Sequence, residues 1–173
     1  MLRFDLADVQ RAHDGWGFNC GPGALCAVLD LTPDELRPHL GDFEAKRYTS
    51  PSMMAGILHG LKVRFRRLYE SQHQLANRPH AGEYPMLGLV RVQWGGPWTA
   101  PGVPIPARYR QTHWAAMRRA GSQWDVFDIN AIGYGGWISS REWADALVPW
   151  LIRVAVPQAD GTWWITHSWE IQR

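Results

Sequence analysis

The spacing of apolar residues divides the chain into a helical first part and a strand-rich remainder. From Cys20 onward, apolar side chains recur at helical spacing through Ala24, Leu25, Val28 and Leu29, which predicts a buried helix. From residue 63 the apolar period shortens from about 3.6 to about 2, which is typical of strands. The chain therefore changes its secondary structure after roughly its first third.

Two further helices are indicated by the residues at their N-termini. In LTPDELRPHL, Thr32 can cap a helix, Pro33 fits the first helical position, and Glu35 can complete a capping box. In TSPSMMAGILHGL, Ser50 is the expected cap and Pro51 follows it. The predicted apolar face of that helix comprises Met53, Met54, Ile57, Leu58 and Leu61.

Strands are predicted where apolar and polar residues alternate. LKVRFRRLY alternates Val63 and Phe65 with arginines, and YPMLGLVRVQW is a more continuously apolar strand. THWAAMRRA and WDVFDIN flank a turn at Gly121-Ser122, which predicts two adjacent antiparallel strands. Between these pairs lies the Gly/Pro/Trp stretch WGGPWTAPGVPIPARYR, which interrupts the sheet.

The last part of the chain combines a helix with a final strand. ISSREWADALVPWL predicts a short helix capped by Ser139, with Glu142 in position for the capping box. The helix is followed by LIRVAVP, by a turn at Asp160-Gly161 and by TWWITHSWEI. The residues expected on one face of the last segment are Trp163, Ile165, His167, Trp169 and Ile171. Helices first and strands later predict an α+β fold, in one domain over residues 1–173.

Composition excludes few function classes by itself. The chain is 46% hydrophobic and 20% charged, with a formal net charge of +2, which does not argue for nucleic acid or a membrane. Two basic stretches, Arg64 to Arg67 and Arg118-Arg119, are interpreted as solvated strand faces. The histidines show no metal-ligand spacing, so neither a metal nor an organic cofactor is expected.

The N-terminus and the cysteines suggest a compartment. The first residues lack the apolar run of a signal peptide, and no later stretch resembles a membrane span. Cys20 and Cys26 lie six residues apart on one predicted helix, where they cannot form a normal disulfide. We therefore expect a cytoplasmic protein with free thiols, and the sequence leaves its oligomeric state open.

Cys20 is the candidate nucleophile. Pro22 is tolerated only in the first turn of a helix, so the predicted helix begins at or near Cys20. The positive end of a helix favours a thiolate, and its unpaired N–H groups can stabilise an oxyanion. Gly21 leaves room for a substrate backbone to approach. Alternatively, Cys20 could be a small hydrophobic side chain of the core, which is the role we expect for Cys26.

His113 and Asp128 are the candidates for the base and the residue that orients it. Both lie on the predicted hairpin, where His113 precedes the turn by about as much as Asp128 follows it. Neutral His113 could accept the thiol proton, while Asp128 fixes the orientation of the ring. Asn130 would face the same side of a continuing strand and is the alternative third residue.

These segments resemble a known family. FNCGPGALCAVL, followed by THWAAM, WDVFDIN and GWISSREW, is similar to the papain-like cysteine peptidases, closest to the bacterial C39-like branch. The resemblance covers most of the chain, from about Gly15 to Ala155. It implies N-terminal helices packed on a C-terminal antiparallel sheet. It also implies that Cys20 faces His113 and Asp128 across a cleft.

The chain departs from that family at one position. A glutamine usually lies six residues before the cysteine and completes the oxyanion hole, whereas this chain has Asp14 there. A carboxylate would repel an oxyanion, so Gln10, Asn19 or backbone N–H groups alone would have to serve. The departure favours unusual acyl chemistry or a protein that has lost catalysis.

Tryptophans could form part of a substrate cleft. The chain has 11 of them, which could instead build an aromatic core. In the long loop before His113, Trp94, Trp98 and Tyr109 could wall a cleft or pack on the sheet. Trp16 is a further cleft candidate, and Trp114 is expected to belong to the core.

Together these residues predict a cysteine-dependent hydrolase, of peptidase or amidase type, or an acyltransferase. Cys20 would form a thioester intermediate with a peptide, a protein or a small amide or ester substrate. The alternative is a papain-like protein without turnover that binds a peptide or protein partner. A nucleic-acid-binding module is a third class, which would show steeply salt-dependent binding.

Overall fold

A computed structural model describes residues 3–17, 19–70, 84–108 and 111–172. The helices are α1 (Leu6–Gly15), α2 (Cys20–Leu29), α3 (Pro33–Leu36), α4 (Phe43–Lys46), α5 (Pro51–Gly60), α6 (Ile105–Arg108), α7 (Ser140–Glu142) and α8 (Val148–Ala155). The strands are β1 (Arg64–Glu70), β2 (Leu87–Trp94), β3 (Thr112–Ala120), β4 (Gln123–Phe127), β5 (Trp137–Ser139) and β6 (Trp163–Gln172). A π-helical turn, Trp143–Leu147, joins α7 to α8.

The strands form a six-stranded antiparallel sheet in the order β1-β6-β2-β3-β4-β5. The last strand, β6, therefore lies between β1 and β2. β3 and β4 form the predicted hairpin, with Ala120 opposite Gln123 beside the turn. The expected α+β class is confirmed.

The helix starts agree with the N-terminal signals in the sequence. Thr32 and Glu35 form a reciprocal capping box at α3. Ser50 accepts a hydrogen bond from the Met53 N–H at the start of α5. Ser139 accepts one from the Glu142 N–H, and α7, the π-helical turn and α8 then run without a break to Ala155. The helix is therefore longer than predicted, because residues 151–155 of LIRVAVP belong to it.

Each face of the sheet has its own apolar core. Helices α1 to α5 cover one face, where the largest fully buried side chains include Leu25, Met54, Trp114 and Trp169. The helix after Ser139 covers the other face. Its buried residues there include Trp143, Val148 and Ile152.

The prediction that β6 has one uniform apolar face is wrong. Trp163 and Ile165 pack in the core beside α8, whereas Trp169 and Ile171 pack beneath α2 and α5. The pairing with β2 shifts there, because Arg91 lies opposite His167 while Val92 lies opposite Ile165. The extra residue, Thr166, forms a β-bulge that reverses the alternation.

Within the described residues, no helix combines the length and the apolar character that a membrane span requires.

The start of α2 packs closely against the segment before α5. A Cβ on Gly21 would overlap the side chain of Thr49, which is 7% exposed. The Thr49 carbonyl accepts a hydrogen bond of 2.8 Å from the Trp114 Nε1. The sequence had suggested that Gly21 leaves space for a substrate. Instead, Gly21 makes a close packing contact within the protein.

We expect Gly21→Ala to lower the free energy of unfolding by about 1–3 kcal/mol, because the buried, β-branched Thr49 cannot easily move aside. Gly56→Ala in α5 is the matched control: its Cβ would meet nothing, so it should stabilise the helix by about 0.5–1 kcal/mol. Urea unfolding followed by tryptophan fluorescence measures both. Equal stability of the two variants would contradict the packing argument.

Candidate active site

Cys20 is the first residue of α2, as the position of Pro22 predicts. The first backbone hydrogen bond of this helix runs from the Gly23 N–H to the Asn19 carbonyl, at 2.8 Å. The N–H groups of Cys20 and Gly21 precede it and so have no acceptor within the helix. Asn19 provides no side-chain cap. The sulfur and these donors therefore lie at the same helix end.

The imidazole of His113, the second residue of β3, lies beside the Cys20 sulfur, close enough for each group to shift the pKa of the other. As a whole residue Cys20 is half-buried, whereas His113 is 7% exposed. Burial alone would raise the pKa of the Cys20 thiol. The hydrogen bond and charge of His113, with the backbone N–H of Trp114, outweigh it and hold the pKa below the ordinary value. The arrangement favours a thiolate.

Asp128 holds the other side of the imidazole. Its Oδ2 lies 2.7 Å from the His113 Nε2, which leaves Nδ1 as the ring nitrogen for Cys20. Burial by itself would lower the pKa of His113. The charge and hydrogen bond of Asp128, with a smaller contribution from Cys20, raise it to about 10. An imidazolium is thus stabilised between a thiolate and a carboxylate.

The Asp128 carboxylate is completely buried and accepts four hydrogen bonds. Oδ2 accepts from His113 and from the Trp143 Nε1, at 2.9 Å. Oδ1 accepts from the backbone N–H and the Nδ2 of Asn130, at 3.0 and 2.9 Å. Burial would raise the pKa of Asp128, but His113 and these donors keep it below its ordinary value. The carboxylate therefore stays ionised without water.

The turn after β4 places these groups. The strand ends at Phe127, and the Ala131 N–H then donates to the Asp128 carbonyl, at 2.9 Å. The sequence had suggested Asn130, on a continuing strand, as the alternative third residue. The strand does not continue to Asn130, so this residue does not reach His113. It fixes Asp128, and Asp128 is the residue that contacts the imidazole.

Trp94 packs against the base, and Trp143 contacts the carboxylate that orients it. The Trp94 ring stacks against the His113 ring, with centroids 5.9 Å apart and an interplanar angle of 24°. The Trp98 Nε1 donates to the Trp94 carbonyl, at 2.7 Å. Trp143 binds Asp128 from the helix that covers this face of the sheet. Sequence reasoning missed Trp143, because its indole meets Asp128 only after the helix has packed on the sheet.

The side chains predicted to supply an oxyanion donor are engaged elsewhere. The Gln10 Nε2 donates to the exposed Asp14 at 2.8 Å, and His13 contacts the same carboxylate at 3.0 Å. These hydrogen bonds, from His13 first, lower the pKa of Asp14, so it remains an anion. The Asn19 Nδ2 donates to the His13 carbonyl, at 2.8 Å. Among the described residues, none of these candidates hydrogen-bonds to Cys20.

The predicted cleft residues divide by burial. Among the cleft candidates that the structure describes, Trp98 keeps some exposure, and the buried ones are Trp16, Gly21, Trp94 and Trp114. Trp114 belongs to the core, as expected. Tyr109 lies outside the described residues. The tryptophans around the site thus support the imidazole and the core.

The second cysteine and the possible metal ligands are a separate question. Burial raises the pKa of the Cys26 thiol far above its ordinary value, which agrees with the predicted core role. Within the described ranges, no group of three His, Cys, Asp or Glu side chains is placed to hold a metal ion.

Comparison of the chain with protein families, with curated proteins and with solved structures finds no match in any of the three. The geometry of the site is therefore the basis for assigning a function.

We expect Trp143→Phe to destabilise the protein by about 1.5–3 kcal/mol at neutral pH, because a buried carboxylate loses a donor. The folded-state pKa of Asp128 is depressed, so its contribution is present above the ordinary carboxyl pKa and is lost as the pH falls. The variant's deficit should therefore shrink in acid. Urea unfolding at several pH values measures it.

Trp124→Phe is the matched control for this prediction. The Trp124 Nε1 donates to the Pro85 carbonyl at 3.1 Å, so its loss removes an equivalent donor from a neutral acceptor. Its deficit should not depend on pH. A pH-independent deficit in Trp143→Phe would contradict the assigned interaction with an ionised Asp128.

Proposed function

We propose that this protein is a papain-like, cysteine-dependent hydrolase or acyltransferase acting on an amide or ester carbonyl. The observation that carries the proposal is the arrangement of three residues: Cys20 lies beside His113, and His113 hydrogen-bonds to the buried Asp128 at 2.7 Å. The papain-like assignment is supported by the placement of Cys20 at a helix start and of the base and acid on an antiparallel sheet. Cys20 is partly exposed, as a nucleophile must be.

The proposed reaction begins with attack of the Cys20 thiolate on the carbonyl carbon. The carbonyl π electrons move to oxygen as the carbon–sulfur bond forms. When that electron pair returns, the carbon–nitrogen or carbon–oxygen bond to the leaving group breaks, and the imidazolium of His113 gives its proton to the departing amine or alcohol. A thioester remains on Cys20. Neutral His113 next removes a proton from water, which attacks the thioester and releases the acid. An amine in place of water would give acyl transfer through the same intermediate.

Asp128 keeps the imidazole oriented and stabilises its protonated form in both steps. The negative charge on the substrate oxygen would be received by backbone N–H groups at the start of α2. The Cys20 N–H is the donor nearest in sequence to the reacting sulfur. A peptide, a protein or a small amide or ester fits this chemistry, and we propose a cytoplasmic setting in which Cys20 stays reduced.

A binding protein without turnover is the second candidate, and one observation favours it. Asp14 occupies the position where the resembled family has a glutamine, and it is an exposed anion. Loss of one oxyanion donor typically costs a factor of about 100–1,000 in kcat. The two candidates differ in whether an acyl group is transferred to Cys20.

We expect iodoacetamide to alkylate Cys20 rapidly at mildly acidic pH, because the pKa of the thiol is lowered. In His113→Ala, the midpoint of the profile of alkylation rate against pH should move toward the ordinary thiol pKa of about 8.5. At mildly acidic pH the reaction should slow about tenfold for each unit by which the thiol pKa rises. Mass spectrometry after timed quenching measures the rates. Cys26→Ala, which removes the buried thiol, should leave the profile unchanged.

A slow wild-type reaction, or equal rates in the wild type and His113→Ala, would contradict the activated pair. An acyl donor distinguishes the two functions. With p-nitrophenyl acetate, the enzyme should form an acetyl adduct on Cys20 that decays to free acid, and Cys20→Ala should form none. Rapid alkylation without any acetyl adduct would favour the binding protein.

A further inference from the structure

A cavity that is open to solvent lies at the junction of α5 and β1, and none of the proposed catalytic residues lines it. Its volume is about 630 Å³. Its polar walls come from His59, Lys62, Arg64, Arg67 and Gln172, and its apolar wall includes Phe65. Cavities of this size hold small molecules.

Positive charge is concentrated in this cavity. Three cationic side chains line it, and its lining contains no carboxylate. Arg67 has Glu70 at 3.5 Å outside the lining, and within the described part of the chain no salt bridge involves Lys62 or Arg64. Like charges without counter-charges repel one another, and a bound anion would remove that cost.

Two other arginines of the sheet are paired with acids in the protein. Arg66, on the same strand, pairs with Glu170 at 2.9 Å. Arg118 pairs with Asp125 at 3.3 Å across the hairpin. Within the part of the chain that the structure describes, Lys62 and Arg64 differ from these two arginines because neither forms a salt bridge.

The backbone at Lys62 is a second, independent observation. Lys62 has a φ of 57° in the turn that ends α5, a left-handed conformation that favours glycine. Its N–H donates to the His59 carbonyl at 2.9 Å, and the Val63 N–H donates to the Leu58 carbonyl at 2.8 Å, as in a Schellman motif. A lysine at this position costs stability and places an ammonium group at the cavity.

We propose that this cavity binds a small, multiply charged oxyanion of the phosphate type. Lys62 and Arg64 would supply the charge that recognises it, with Arg67 beside them and the Gln172 amide as a neutral donor. The anion could be a free oligophosphate or the phosphate chain of a nucleotide. A concave site of limited volume favours either of these over an extended nucleic acid.

The test is titration calorimetry of the full chain with inorganic tripolyphosphate, repeated with ATP and with adenosine. We expect one saturable site for tripolyphosphate, and Arg64→Ala should weaken the binding at least about tenfold. Binding of ATP much tighter than tripolyphosphate would identify the nucleotide as the source. Equal affinities would indicate an oligophosphate site, and adenosine alone should not bind.

Lys62→Gly separates binding from folding. It removes the ammonium group and supplies the residue that the left-handed turn prefers, so we expect weaker tripolyphosphate binding together with a higher unfolding midpoint. Arg141→Ala is the charge-matched control, because this side chain is 90% exposed and lies elsewhere. Its affinity should equal that of the wild type.

Three results would overturn the proposal. They are no saturable binding, equal weakening by Arg141→Ala and Arg64→Ala, and unchanged affinity in Lys62→Gly. Binding of single-stranded DNA that is tighter than that of tripolyphosphate and falls steeply with salt would also overturn it, in favour of a diffuse basic surface. The acetyl-adduct experiment on Cys20 is independent of every one of these outcomes.

Discussion

The buried hydrogen bond between Asp128 and His113 is the interaction on which the rest of the site depends. Ionising a completely buried carboxylate costs free energy. Asp128 stays ionised because it accepts four hydrogen bonds, one of them from the imidazole. The other donors belong to Asn130, in the turn after β4, and to Trp143, in the helix that begins at Ser140. Local chain geometry and helix packing thus converge on one side chain.

The sheet brings together groups from two separate cores. Cys20 packs against the core that α2 and α5 form on one face, whereas Trp94 and Trp143 belong to the core on the other face. His113 stacks on Trp94 and lies beside Cys20, so the imidazole links the two layers. The position of the proposed nucleophile relative to its base is therefore set by packing on both faces of the sheet.

Local signals in the sequence predicted much of this arrangement. The start of α2, the Thr32 cap and the β3–β4 hairpin follow from proline positions, capping residues and turn chemistry, which act over a few residues. The reversed face of β6 was not predictable from alternation, because the bulge at Thr166 is defined by its pairing with β2. The role of Trp143 likewise depends on tertiary packing, and Gly21 faces Thr49 rather than a cleft.

The protonation state of His113 at neutral pH tests the central claim most directly. Nitrogen-15 NMR of the ring distinguishes an imidazolium, with both nitrogens protonated, from a neutral tautomer. The account predicts an imidazolium, because Asp128 raises the pKa of His113 while the Cys20 thiol has a lowered pKa. A neutral ring beside a protonated thiol would contradict the thiolate–imidazolium pair and with it the proposed chemistry.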